Sequence, residues 1–187
     1  MHKVIYVFSG KAQSGKDYIS NKLKESLESE GHSVKKLAFA DRLKEYLSIL
    51  LDMSVEELER LKLEETSFTS NGLTIRQLMQ RMGTELFRKQ LGFDFWVIQT
   101  AKVIAKTDYE YYLISDCRFP NELNVIDYAC GYDNHNTYEM CTVRILNDVK
   151  IKSSDHVSEN LLNDIKHDII IDNRDYGYQF NIGDFHC

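Results

Sequence analysis

No apolar run in this chain approaches the roughly 18 residues needed to cross a bilayer; Val4 to Phe8 and Ile49 to Leu51 are among the longest. No small-residue cleavage site follows Met1-His2-Lys3, so neither a signal peptide nor a membrane partner is expected. Basic residues are not in excess either. The formal net charge is −6, which argues against broad nucleic-acid binding. A local phosphate site stays open, because backbone amides and a few cations act at short range. Cys117, Cys130, Cys141 and Cys187 show no CxxC spacing and are expected as free thiols in a reducing, cytoplasmic setting. There is no internal repeat, low-complexity tract or dividing linker, so the 187 residues are expected to form a single domain.

What is present is ordinary globular composition, 43% hydrophobic and 28% charged. Val4 to Phe8 is a continuous apolar run of the kind found in a buried parallel strand. Ile19, Leu23 and Leu27 then recur at helical spacing until Gly31. A strand is expected over Val34 to Phe39, then helices over Asp41 to Leu51 and Val55 to Leu63, with a loop over Thr66 to Gly72. The stripe Ile75, Leu78, Met79, Met82 and Leu86 predicts one helix from Thr74 to Gln90. A helix over Phe95 to Lys106 and a strand over Tyr111 to Ser115 follow. A helix over Pro120 to Ala129 and a loop over Gly131 to Thr137 come next. Then come a strand over Cys141 to Leu146, a short helix near His156 to Asn163, and a strand over Asp168 to Ile171. This alternation predicts an α/β layered fold with a mainly parallel sheet flanked by helices, and the glycine loop after the first strand makes the expected type the three-layer P-loop fold.

Gly10-Lys11-Ala12-Gln13-Ser14-Gly15-Lys16 matches G-x-x-x-x-G-K between a strand and a helix. Chance supplies about 0.03 such matches in a chain of this composition, so the motif is read as a phosphate loop. Its glycines let successive amides face phosphate oxygens, and Lys16, expected to face solvent, reaches the β- and γ-phosphates. Asp17 stands where Ser or Thr usually holds magnesium. It serves either a hard cation or the first helical turn, and both readings stay open. Asp116 ends an apolar strand at the edge that faces the ligand crevice of a parallel sheet, as a metal or substrate group or as a turn residue. Arg118, two residues on, suits bidentate phosphate recognition.

Together these segments resemble the phage-type deoxynucleoside monophosphate kinases over most of the chain. The resemblance rests on Ser9-Gly10-Lys11-Ala12-Gln13-Ser14-Gly15-Lys16-Asp17, Leu37-Ala38-Phe39-Ala40-Asp41-Arg42-Leu43-Lys44, Arg81-Met82-Gly83-Thr84-Glu85, Arg88, Asp94 and Trp96. Asp116-Cys117-Arg118-Phe119-Pro120-Asn121-Glu122 and Asp155-His156-Val157-Ser158-Glu159 complete it. It implies transfer of the ATP γ-phosphoryl group, with Mg²⁺, to a nucleoside 5′-monophosphate. Gly10 to Tyr18 would hold ATP, and Lys16, Asp116 and Arg118 would serve the transfer. Asp17 and Asp116 would face the metal. Phe39, Asp41, Lys44, Arg81, Glu85, Arg88, Trp96 and Arg118 would bind the acceptor. Phe39 also reads as core, Lys44 and Arg88 as solvated helix faces, Trp96 as helix packing, and Glu85 as a salt-bridge partner of Arg81 or Arg88. A helical acceptor region over 41–106, a lid over 147–160 and association into homodimers are further expectations. Asn147 stands where the family places a lid arginine, leaving Arg144, Lys150 and Lys152 as substitutes. After Asn173 no long closing helix is evident. The loop also resembles animal-type phosphomevalonate kinases, and a nucleotide-driven switch is the remaining alternative.

Overall fold

Ile5, Tyr6, Val7 and Phe8 are buried on both sides of their strand, as expected for the middle of a parallel sheet. In the computed structural model, which describes residues 1–64, 69–133, 135–147, 161–162 and 165–186, this strand is β1 (His2–Ser9). With β2 (Val34–Leu37), β3 (Tyr111–Cys117), β4 (Thr137–Leu146) and β5 (Ile169–Asp172) it forms a five-stranded sheet of order β2-β3-β1-β4-β5. Every pairing is parallel. The chain leaves β1 toward one edge and later enters β4 on the other side. The order therefore reverses at β1, where open α/β sheets bind ligands beyond the strand ends.

The chain divides into two compact units. The first joins Met1–Ala38 to Thr100–Cys187, and the second is Phe39–Gln99. In the first, α1 (Lys16–Ser29) lays Ile19, Leu23 and Leu27 against Tyr6, Phe8, Val143 and Ile145. Gly31 at φ +92 ends that helix, its amide returning to the Glu28 carbonyl. α7 (Val125–Tyr132) packs on β4. Buried Lys3 donates from Nζ to the Ile104 and Thr107 carbonyls (3.0 and 2.8 Å). These oxygens lie at the C-terminal end of α6 (Phe95–Lys106), so the ammonium satisfies groups that a helix leaves unpaired.

Among the described residues, the C-terminal tail has no long helix. It makes two short turns, Arg174–Tyr176 and Ile182–Asp184. Tyr178, Phe180 and Ile182 pack against the core, and Phe185 is buried in it. Phe185 meets Tyr6 edge-on at 6.1 Å and accepts the Tyr6 hydroxyl on its carbonyl at 2.8 Å.

The second unit holds α2 (Asp41–Leu50), α3 (Val55–Glu64) and α4 (Ile75–Gln80), with Thr74 and Gln77 closing a reciprocal cap on α4. The predicted single helix over Thr74 to Gln90 is interrupted. Arg81–Arg88 is π-helical, and α5 (Lys89–Leu91) resumes the α form. Widening each turn by about one residue rotates later side chains off the predicted stripe. Leu86 is thus 50% exposed, whereas Arg88 is 6% exposed.

Other corrections are smaller. A 3₁₀ turn over Pro120–Asn124 precedes α7, which runs into the expected loop, and β4 starts four residues earlier than predicted. Cys117 and Cys130 are free, but Cys141 is disulfide-bonded, against the expectation of free thiols. The expected lid at 148–160, including Lys150, Lys152, His156 and Glu159, lies outside the described residues, as does 66–68 of the expected loop. Of the helix expected near His156 to Asn163, Leu161 and Leu162 are described, and they form a turn. No described helix is long and apolar enough to cross a membrane.

Candidate active site

The sequence Ser9 to Lys16 turns sharply because two glycines accept geometries that other residues resist. Gly10 has φ +150, and a Cβ there would lie 2.7 Å from the Ile145 carbonyl and 2.8 Å from Ser14 Oγ. Gly15, at φ +94, precedes α1, and its Cβ would strike the side-chain amide of Asn173. Between them Gln13 also takes a left-handed conformation (φ 58), and the Ser14 amide donates to the Lys11 carbonyl at 3.2 Å. The loop is therefore a strained, closed turn beyond the C-terminal end of β1. Lys16 does not extend into solvent as the sequence suggested. Its Nζ donates to the Gly10 and Lys11 carbonyls, 2.6 Å each, and lies 3.4 Å from Ser14 Oγ. Phosphate oxygens are acceptors of the same kind and can exchange with these carbonyls, so the cradle fits a nucleotide phosphate. Ala12 lies within the turn, and Tyr18 follows it in the first turn of α1 with its side chain exposed.

Asp17 is the second helical residue and is drawn sideways. Lys36, on β2, donates to its Oδ1 at 3.0 Å and to Asn21 Oδ1 at 2.8 Å. Partial desolvation raises the Asp17 carboxyl. The bond and charge of Lys36, a hydrogen bond from Ser115 and the charge of Lys16 outweigh that and hold it below the usual carboxylate range. Ser115 precedes Asp116 on β3, so the motif acid after the loop and the strand-end acid belong to one corner of the first unit. Neither joins a group of three or more metal-binding side chains among the described residues. One or two carboxylates beside substrate phosphates are what Mg²⁺ ordinarily uses, and the donor set fits that ion.

Beyond Asp116 the chain is fixed from below. Glu122, 1% exposed, accepts the Arg118 and Phe119 amides on Oε2 at 2.6 and 3.0 Å. This holds the turn in which the exposed Arg118 stands. Cys117, between the two motif residues, is buried. Burial pushes its thiol well up, Glu122 and Asp116 push it further, and Arg144 opposes them, so it is no ready nucleophile. Arg144 is itself buried on β4, in register with Ser9.

The remaining predicted residues belong to the second unit. Phe39 is buried. Trp96 is buried, with its indole N–H donating to the Gly83 carbonyl at 3.0 Å, and it packs on Phe87 and Phe95. Lys44 lies 3.8 Å from Asp41 and 3.0 Å from Glu59. Desolvation raises Glu59, but Lys44 and Lys62 together hold its carboxyl below the ordinary value. Arg88 donates to the Phe93 carbonyl at 3.3 Å. Arg88 follows Arg81 by seven positions, a spacing that shares one face on an α-helix. The π turns instead leave Arg81 exposed and Arg88 buried. Arg81 and Glu85 line an open depression of about 370 Å³ with Met82, Leu86 and Gln90.

Sequence reasoning missed Lys36, Asn173 and Tyr176. It noted Asn147 only as a missing arginine, whereas Asn147 is buried and donates from Nδ2 to the Asn173 carbonyl at 2.9 Å. The one hint was position: Asn147 and Asn173 directly follow β4 and β5, at strand ends that face the ligand crevice of a parallel sheet, whereas Lys36 lies within β2 and carries no such mark.

A family model described as phosphomevalonate kinase matches residues 8–131. The match takes in the loop, the whole second unit and the Asp116 to Glu122 block. No curated protein sequence matches the chain. Among solved structures, the chain is similar to cobyrinic acid a,c-diamide synthase from Mycobacterium smegmatis with bound ADP and magnesium. The two are 14% identical, with a TM-score of 0.40, and the likeness covers 92% of this chain and 72% of that one.

Proposed function

The chain belongs to the phosphomevalonate kinase family, and from that premise we propose that it transfers the γ-phosphoryl group of ATP to the phosphate of a small phosphomonoester. The observation carrying this reading is the corner built by Lys16, Asp17, Lys36 and Ser115, which sets a strained phosphate loop beside the strand end bearing Asp116 and Arg118. The acceptor is already an anionic phosphate, so no general base is required. One of its oxygens bonds to the γ-phosphorus as the bond to the β,γ-bridging oxygen breaks, and ADP leaves with that electron pair. Lys16 and Arg118 counter the charge on the phosphate oxygens, and the loop amides orient the donor. When bound, Mg²⁺ would neutralise β- and γ-oxygens, with Asp116 and Asp17 as the nearby carboxylates.

For the acceptor we favour a deoxynucleoside 5′-monophosphate, on the Asp116 to Glu122 block and its likeness to the phage-type kinases. Phosphomevalonate is the second reading. The family match favours it, and so does the packing of Phe39 and Trp96, which leaves neither aromatic face free for a nucleobase. ADP release from ATP and Mg²⁺ is to be followed with each nucleoside monophosphate and with phosphomevalonate in turn. Stimulation by a deoxynucleotide alone supports the first reading, and by phosphomevalonate alone the second. ADP formation indifferent to all of them overturns the kinase assignment in favour of a nucleotide-driven switch.

A further inference from the structure

The tail after β5 returns to the phosphate loop at two points. Asn173 is 4% exposed, and every polar group it has is used. Its amide donates to the Leu146 carbonyl (2.9 Å), and its own carbonyl accepts from Asn147. Its Oδ1 accepts the Tyr178 amide (3.3 Å), and its Nδ2 donates to the Ser14 carbonyl (2.9 Å). Tyr176, three residues on, donates its hydroxyl to the Gln13 carbonyl at 3.1 Å.

Peptide planarity turns these contacts into an orientation. The Ser14 carbonyl and the Gly15 N–H share one trans peptide and point in opposite directions. Fastening that carbonyl to Asn173 therefore turns the Gly15 amide away from the tail, and this amide is among those a phosphate loop offers to its ligand. Gln13 holds its left-handed backbone beside the second fastening, and such a conformation persists only where surroundings impose it. Gly15 is pressed so closely on Asn173 that no Cβ fits between them.

We propose that Asn173, assisted by Tyr176, is a positioning residue for phosphoryl transfer, a brace from the far end of the chain that pre-orients the Gln13–Gly15 amides for the nucleotide. The proposal rests on the reading of this loop as an ATP site. Its test is calorimetric titration of ADP with Mg²⁺ into the wild type, Asn173→Asp and Tyr176→Phe, with melting temperatures and ATP kinetics alongside. Asn173→Asp keeps the side chain's size and its acceptor for Tyr178, but sets a carboxylate against the Ser14 carbonyl. ADP affinity is expected to fall about tenfold or more, with kcat reduced as well, since small displacements of positioning groups cost that much. Tyr176→Phe removes one solvent-exposed hydroxyl and is expected to cost about two- to fivefold in affinity, with melting unchanged. A lowered melting point with wild-type ADP affinity in the folded protein makes Asn173 merely structural and overturns the proposal. Should Asn173→Asp not fold, wild-type affinity in Tyr176→Phe overturns it instead. A wild type that binds no ADP removes the ATP-site reading, and the brace with it.

Discussion

Lys16 shows how one side chain can be committed to two acceptor sets in turn. Its ammonium sits 2.6 Å from two carbonyls of its own loop, and on the proposed function phosphate oxygens, acceptors of the same kind, take their place. Lys16→Ala is accordingly expected to lower kcat by about two to three orders of magnitude, the usual cost of one charge-stabilising donor. The melting temperature should stay near that of the wild type, because no core contact is lost. Steady-state ADP release, read beside thermal unfolding of the same preparation, checks both halves, and wild-type turnover would end the phosphate-loop reading. At this scale the sequence announced the loop, because its glycines and lysine are contiguous. Lys36 and Asn173 went unseen because their partners, Asp17 and Ser14, are 19 and 159 residues away.

Among the elements, those governed by a single period were legible: β1, α1, α2, α3, α6 and β3 lie within a few residues of their expected bounds. The Thr74 to Gln90 helix was not, because the stripe argument assumes 3.6 residues per turn and the chain departs from that at Arg81–Arg88. The tail was opaque for a different reason. Its aromatics contact the core from irregular backbone, so no spacing marks them. The junction of β4 and β5 gives a testable case of local electrostatics. Asp168 Oδ2 accepts the Thr142 amide and hydroxyl at 2.8 and 2.7 Å, and the backbone bond, followed by the side-chain bond, lowers its pKa. A depressed carboxylate contributes stability that is present above its unfolded value of about 3.9 and lost as pH falls through the folded one. Asp168→Asn should therefore lower stability at neutral pH and flatten the loss below about pH 4. Urea midpoints across pH 3–7 measure both effects, and a parallel downward shift with the acid slope retained would assign that slope to other groups.

On the scale of the whole molecule, the nucleotide corner lies entirely in the first unit, which the chain builds from two pieces separated by Phe39–Gln99. A ligand that binds only the native form of that corner stabilises it by mass action. Thermal unfolding is thus expected to shift upward with the logarithm of ADP concentration in the presence of Mg²⁺, by about 2.7 kcal/mol at a hundredfold excess over Kd. Melting curves over a concentration series would show it, and a midpoint independent of ADP would deny the corner a nucleotide. The Asn173–Ser14 contact also imposes a chronology on biosynthesis. A ribosome completes the phosphate cradle early but reaches its brace 159 residues later, roughly 8–30 seconds at 5–20 residues per second. Throughout that interval the nascent chain carries the full glycine-lysine signature and its local bonds, but not the contact from Asn173. On the proposed role of Asn173, full responsiveness to nucleotide therefore waits until that residue has been made, and a product cut short of it carries the motif without its brace.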